Sequence, residues 1–279
     1  MRDDPRQGPF RDAHEDIESS RHVPDSPQAN SPAYRLAFAD PEFLCRDELR
    51  PVRLQLELLK PQLEMDERGI ASTVVLFGGA RIRAPGVAAP TETLRQMSQY
   101  YGEAREFARL ITERSVVSGC RENVVVTGGG PGVMEAGNRG AADAGGCSIG
   151  LNIVLPHEQV PNSYITPELC FNFHYFGIRK MHFLIRARAI AVFPGGFGTM
   201  DELFETLTLI QTGRMDQVPV ILFGKEFWQR LINFEMLVDA GTISADDLEL
   251  FRFVETAAEA LDVMDNWQLS GRRGDIPGR

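Results

Sequence analysis

The chain has 279 residues, 43% apolar and 24% charged, an ordinary composition for a globular protein with one sizeable core. Its formal net charge is −10 and no basic stripe is present, which argues against a DNA- or RNA-binding protein. The four cysteines form no CxxC pair, the histidines have no metal-ligand spacing, and no apolar run approaches the ~18 residues of a membrane span. We therefore expect a cytoplasmic protein without a metal or a cofactor.

The N-terminal quarter differs in composition from the rest. Residues 1–33 are rich in Pro, Asp, Ser and Arg and lack the apolar core of a signal peptide, so we predict a disordered arm. Residues 34–70 contain leucines at helical spacing, with helices broken or started at Pro51 and Pro61. We interpret them as a helical preface that packs on the main domain or on a partner.

Strand-like and helix-like segments alternate through residues 71–267. The strand-like runs are "STVVLFGG", "NVVVTGGG", "CSIGLNIVLP", "ELCFNFHYF", "AIAVFPGG", "VPVILFG" and "LFRFVE", and amphipathic helical patterns separate most of them. This alternation predicts one α/β domain: a Rossmann-like, doubly wound, mainly parallel sheet with helices on both faces. A TIM barrel would need eight such units, and we count six or seven strands. Residues 268–279 are predicted to be a flexible tail.

Two glycine-rich turns, "TGGGPGVME" and "PGGFGTMDE", each connect a strand to a helix. Ligands of open α/β sheets bind outside the carboxyl ends of the strands, where both turns lie. Gly195, Gly196, Gly198 and Thr199 can present N–H groups and a hydroxyl at a helix N-terminus, an arrangement that favours a phosphate. Neither turn is a Walker A loop or a GxGxxG fingerprint, and no ribose-binding acid follows the first turn, which disfavours NAD.

Charged residues flank the second turn. Asp201 and Glu202 are expected in the first turn of the helix, either as acids that suit a positive helix end or, for Glu202, to contact ribose hydroxyls or activate a water. Arg179 and Lys180 open a helix, where a bound anion or a carboxylate would compensate them; they could also be plain surface cations. Arg81 follows the first strand at the same ligand edge.

The order and spacing of "GGGPGVMEAGNRGA", "RK" and "PGGFGTMDE" resemble the LOG (Lonely Guy) family, long labelled lysine decarboxylase-like. The resemblance covers about residues 74–263, and the N-terminal extension suggests a longer, bacterial-type member. It implies a Rossmann-like fold and hydrolysis of the N-glycosidic bond of nucleoside 5′-monophosphates. The products would be a free base and ribose 5-phosphate, and the substrates AMP, cytokinin riboside monophosphates or other nucleotides.

The same resemblance assigns the site. Arg179 and Glu202 fall on the catalytic arginine and glutamate, and Gly195, Gly196, Gly198 and Thr199 on the phosphate loop. The substrate-binding residues would be Arg81, Gly129, Gly130, Gly132, Met134, Glu135 and Lys180. Family members are dimers or larger, so we expect a homodimer or a higher homo-oligomer with the active site close to the interface.

Two other functions are decarboxylation and the binding of a nucleotide without cleavage. Decarboxylation would require a lysine that forms a Schiff base with pyridoxal phosphate, and of Lys60, Lys180 and Lys225 only Lys180 lies near a motif. A nucleotide-binding sensor or carrier could use the same turns without cutting its ligand. Such a binder does not need a carboxylate beside the sugar, so the pair Arg179 and Glu202 favours an enzyme. The preferred base is left open by the sequence.

Overall fold

The computed structural model describes residues 12–156 and 160–267. It divides into two compact units, Met1–Leu56 and Glu57–Arg279. The first unit contains the short helices α1 (Ala13–Ser20) and α2 (Pro41–Leu44), so a helix lies within the segment predicted to be a disordered arm. The predicted tail, 268–279, and residues 1–11 of that arm lie outside the described residues, and the predicted domain boundaries stay predictions.

Helix α3 (Arg50–Glu67) continues through Pro61, which was expected to break or start a helix. Proline has no N–H, so within a helix the carbonyl four residues earlier loses its usual donor. That carbonyl belongs to Glu57, and it accepts a hydrogen bond from Nε2 of His182 at 3.2 Å. The acceptor is therefore satisfied from outside the helix, which offsets part of the cost of the proline.

The second unit is built on a seven-stranded sheet in the order β4-β3-β2-β1-β5-β6-β7, with every pairing parallel. The inner strands are short runs of β-branched and other apolar residues, as expected for strands covered on both faces. The predicted α/β class is thus confirmed. The strands are β1 (Thr73–Phe77), β2 (Val124–Thr127), β3 (Ser148–Ile153), β4 (Cys170–Phe173), β5 (Ala187–Val192), β6 (Val220–Phe223) and β7 (Arg252–Val254).

Helices connect the strands, and the buried apolar side chains form two clusters. Alternate residues of β1 divide between them: Val75 and Phe77 belong to one cluster, Val74 and Leu76 to the other. Strand β1 therefore contributes to a core on both sides of the sheet. The helices after α3 are α4 (Glu92–Gln96), α5 (Ser98–Val117), α6 (Val133–Asp143), α7 (Phe176–Leu184), α8 (Phe197–Gln211), α9 (Lys225–Leu231), α10 (Phe234–Asp239) and α11 (Ala257–Asp265).

The strand order reverses at β1. Strands β2 to β4 extend the sheet to one side of β1, and β5 to β7 extend it to the other. The carboxyl ends of β1 and β5 therefore lie side by side at a topological switch point, the usual ligand crevice of this architecture. None of the helices in the described part of the chain is both long and apolar enough to cross a membrane.

Candidate active site

A cavity of about 660 Å³ opens at this switch point. Its walls come from the segments that follow β1 and β5, from the first glycine turn and from α7 and α8. The volume lies in the ordinary range for small-molecule sites. Of the residues predicted from the sequence, those that line the cavity are Arg81, Met134, Arg179, Gly195, Gly196, Gly198, Thr199 and Glu202.

The phosphate-type loop forms the start of α8. Gly196 is the N-cap of the helix, and Thr199 lies buried in the first turn. Apart from chain neighbours, no heavy atom lies within 4 Å of where a Cβ would stand on Gly196 or Gly198. An open helix N-terminus that faces a cavity combines exposed backbone donors with a positive dipole end. This end of the cavity is therefore suited to an anion such as a phosphate.

Glu202 lies in the second turn of α8, because the helix begins at Phe197, earlier than expected; the prediction that Asp201 and Glu202 occupy the first turn was wrong. Helical side chains lean toward the N-terminus, so the carboxyl group still reaches the cavity. Glu202 is only 7% exposed. Burial raises its pKa to about 7, although the positive charges of Lys180 and Arg179 oppose the rise. A carboxyl group with this pKa can exchange a proton at neutral pH.

Arg179 projects from α7 toward the carboxyl end of β3. Its Nε donates to the carbonyl oxygen of Leu151 at 2.7 Å, and the guanidinium lies 5.1 Å from the ring centroid of Phe183. Burial lowers the pKa of Arg179, and the charge of Glu202 acts in the opposite direction. A Cβ at Gly128 would stand 2.7 Å from Nη2 of Arg179, so a larger residue there would require the guanidinium to shift. Arg179 is thus a fixed cation whose charge acts on Glu202.

Lys180 is absent from the cavity wall. Its ammonium group lies 2.8 Å from Asp201 and 3.1 Å from Glu205, which joins α7 to α8. The two neighbouring cations therefore differ: Arg179 lines the cavity, whereas Lys180 pairs with two carboxylates of α8, Asp201 and Glu205. A Schiff-base lysine for pyridoxal phosphate would have to reach the cavity, and none of the three lysines, all within the described residues, lines it. The residues present do not fit that cofactor.

The first glycine turn is shaped by packing. Gly129 and Gly132 have φ of +74° and +73°, a region that side chains other than glycine rarely adopt. Asn162 Nδ2 donates to the carbonyl oxygens of Gly129 and Gly130, both at 3.1 Å. Of this turn's predicted ligand residues, only Met134 lines the cavity. Glu135 instead accepts a hydrogen bond from the Tyr101 hydroxyl at 2.7 Å.

Several cavity residues were missed by the sequence reasoning. Gly78, Gly79 and Ile82 follow β1, and their position after a buried strand at the ligand edge was the signal that could have found them. Leu94 lies in α4, and Met97 separates α4 from α5. No local pattern marks such residues. The remaining apolar lining residues include Phe77, Leu155, Phe176, Phe183, Phe197 and Phe227.

Comparisons with known proteins identify relatives of this chain. Residues 134–264 match the family model described as "Possible lysine decarboxylase". The cytokinin riboside 5′-monophosphate phosphoribohydrolase LOG3 of Arabidopsis thaliana is 24% identical over 173 residues, which are 61% of this chain and 76% of the relative. The corresponding LOG enzyme of Oryza sativa subsp. japonica is 27% identical over 166 residues, 58% of this chain and 64% of the relative.

Two solved structures are also similar. The molybdenum cofactor binding protein from Rippkaea orientalis aligns with a TM-score of 0.45 and 19% identity over 70% of this chain and 95% of its own. The molybdenum cofactor carrier protein from Chlamydomonas reinhardtii aligns with a TM-score of 0.44 and 19% identity over 70% of this chain and 96% of its own.

Proposed function

The chain is related by sequence to the LOG family, and we propose that it hydrolyses the N-glycosidic bond of nucleoside 5′-monophosphates. The products are a free base and ribose 5-phosphate. The substrates proposed are AMP, as in an AMP nucleosidase, and cytokinin riboside 5′-monophosphates. The single observation that carries the proposal is the buried Glu202, whose pKa is near 7, in the same cavity as an open helix N-terminus.

The parts of the cavity match the parts of such a substrate. The N-terminal turn of α8, with Gly196, Gly198 and Thr199, suits the 5′-phosphate because its backbone donors and dipole favour an anion. Much of the remaining wall is apolar, and such surfaces commonly take a flat heteroaromatic base. The ribose then lies between these parts, within reach of Arg179 and Glu202, two of the charged residues that line the cavity.

Cleavage of an N-glycosidic bond develops positive charge on the ribose, as in glycoside hydrolysis. The ionised carboxylate of Glu202 stabilises that charge and accepts a proton from the attacking water. The water oxygen bonds to the anomeric carbon, and the bond to the base nitrogen breaks with its electron pair going to the base. The base nitrogen then takes up a proton from solvent, and Glu202 releases to solvent the proton it accepted. Arg179, a permanent cation, cannot act as a base. It holds Glu202 by charge and donates hydrogen bonds toward the leaving base.

The surface next to the cavity supports a proposal on assembly. Phe197 is 95% exposed at the start of α8, and Phe176, Met181 and Ile185 are about half exposed on α7. Large exposed apolar side chains on neighbouring elements often mark a protein interface. We propose a homo-oligomer in the cytoplasm, where the free thiols of the described residues would stay reduced. Light scattering on the purified protein tests the assembly, and a monomer at micromolar concentration would contradict it.

An end-point assay tests the activity. The protein is incubated with AMP, GMP, CMP, UMP and isopentenyladenosine 5′-monophosphate, and free base and ribose 5-phosphate are measured by chromatography, with Glu202→Gln as control. We expect release that the variant loses, and the ranking of substrates identifies the base preference. Tight nucleotide binding without release would instead indicate a sensor or carrier. Absence of both binding and release would contradict either function.

A further inference from the structure

The segment of α3 from Glu57 onward contacts both ends of α7, the helix that carries Arg179. At the start of α7, the two carboxylate oxygens of Glu57 accept the backbone N–H groups of His174 and Tyr175 at 2.8 and 3.0 Å. At the far end, Arg186 donates to the carbonyl oxygen of Ile70 and to the carboxylate of Asp66, each at 2.7 Å. Helix α7 is thus held at two points by elements more than 110 residues earlier in the chain.

Glu57 makes a third link through its main chain. Because Pro61 has no N–H, the carbonyl oxygen of Glu57 is available to Nε2 of His182, at 3.2 Å. His182 is buried, and burial lowers its pKa, so the ring is neutral at pH 7 and donates this bond from Nε2. One residue of α3 therefore binds α7 near its start and again near its end.

The charge of Glu57 suits the place it occupies. The helix begins at Phe176, so Arg179 and Lys180 are its fourth and fifth residues; the expectation that they open the helix was wrong. A carboxylate that accepts the backbone N–H groups just before the helix is favoured there by the positive end of the helix dipole. Lys180 has carboxylate partners of its own on α8. The Nε of Arg179 instead donates to the main-chain carbonyl oxygen of Leu151.

We infer that Glu57 is a positioning residue that sets the place of Arg179 in the cavity through the start of α7. The inference rests on the proposed function, and it gives the helical preface a role in the active site. Glu57 does not line the cavity itself. Its effect is on where the guanidinium stands relative to Glu202, and small displacements of a catalytic group reduce turnover strongly.

The test compares Glu57→Ala and Glu57→Gln with Asp66→Asn, which removes the ion pair at the far end of α7 and serves as the matched control. With AMP as substrate, we expect Glu57→Ala to lower kcat between about tenfold and a hundredfold with KM nearly unchanged. Glu57→Gln keeps one acceptor oxygen, so its kcat should lie between the kcat of Glu57→Ala and that of wild type. Asp66→Asn should keep its kcat within about twofold.

A double variant separates positioning from general destabilisation. If Glu57 acts through Arg179, then adding Glu57→Ala to Arg179→Ala costs no further activity, because the group to be positioned is already absent. The inference would be overturned if the double variant lost activity by the product of the two single losses. A wild-type kcat in a folded Glu57→Ala or Glu57→Gln protein would also overturn it.

Hydrogen exchange keeps the inference testable if the proposed function fails. Wild-type protein that releases no base from any nucleotide refutes the function alone. The amides of residues 174–180 are then compared by hydrogen exchange in wild type, Glu57→Gln and Asp66→Asn. If these amides exchange faster in Glu57→Gln but not in Asp66→Asn, the role of Glu57 is supported. If they exchange equally fast in wild type and Glu57→Gln, the inference is overturned.

Discussion

The ammonium nitrogen of Lys180 lies 2.8 Å from a carboxylate oxygen of Asp201, and this ion pair joins α7 to α8 beside Glu202. Lys180 lowers the pKa of Glu202, whereas Asp201 and Glu205 raise it. The lysine therefore acts on the Glu202 carboxyl group without lining the cavity. Its effect opposes both burial and the two neighbouring carboxylates.

The first prediction concerns Lys180→Met, which removes this charge and replaces lysine with another long, unbranched side chain. Without the cation the ionised form of Glu202 is less favourable, so its pKa rises further above 7. Because the proposed mechanism uses the ionised carboxylate, the rising limb of kcat against pH should move to higher pH by about half a unit to one unit. Arg114→Met, which breaks the exposed pair with Asp265, is the control. A limb that stays in place in Lys180→Met would contradict the assignment.

The second prediction concerns stability against pH. The pKa of Glu202 is raised from 4.5 to about 7, so its protonated form is favoured in the folded protein. The stability linked to this proton is present below pH 4.5 and is lost as pH rises through 7. Glu202→Gln stays neutral, so relative to wild type its free energy of unfolding should increase between pH 5 and pH 8, by up to about 3 kcal/mol. Urea unfolding at both pH values measures it, and a constant difference would contradict the shifted pKa.

The third prediction concerns Gly128→Ala. The added methyl group would stand 2.7 Å from Nη2 of Arg179 and 2.8 Å from Sδ of Met134, so the guanidinium must move. We expect kcat for AMP to fall at least about tenfold. Gly102→Ala is the matched control, because no atom lies within 4 Å of its new methyl group and alanine favours the helix by about 0.5–1 kcal/mol. Equal kcat values for the two variants would contradict the role proposed for Arg179.

The fourth prediction concerns Thr199→Val, which removes a hydroxyl group from the start of α8 at nearly constant volume. If this turn binds the 5′-phosphate, KM for AMP should rise about tenfold with less effect on kcat, since one hydrogen bond to a charged group is lost. Thr208→Val, on the same helix, serves as control because its hydroxyl bonds the carbonyl of Phe204 within the helix. An unchanged KM in Thr199→Val would argue against phosphate binding at this turn.

The amino-acid sequence by itself determined the architecture. Short apolar runs that alternate with amphipathic helical patterns specify a parallel sheet covered on both faces, because each strand must bury two faces. The glycine turns followed from the same local logic, and the cavity lies at the sheet edge where both were expected. Motif order placed Arg179 and Glu202 at one site, and the structure brings both to the same cavity, although their catalytic roles stay predictions.

Tertiary structure alone decided the partners of the charged residues. Lys180 neutralises Asp201 and Glu205 rather than lining the cavity, and Glu135 binds Tyr101. Pro61 stays inside a helix because His182, 121 positions later in the chain, bonds the carbonyl that the proline leaves without a donor. Such pairings depend on which surfaces the folded sheet brings together. Hydrophobic periodicity predicts which face of a helix or strand is buried, but it does not predict which residues cover that face.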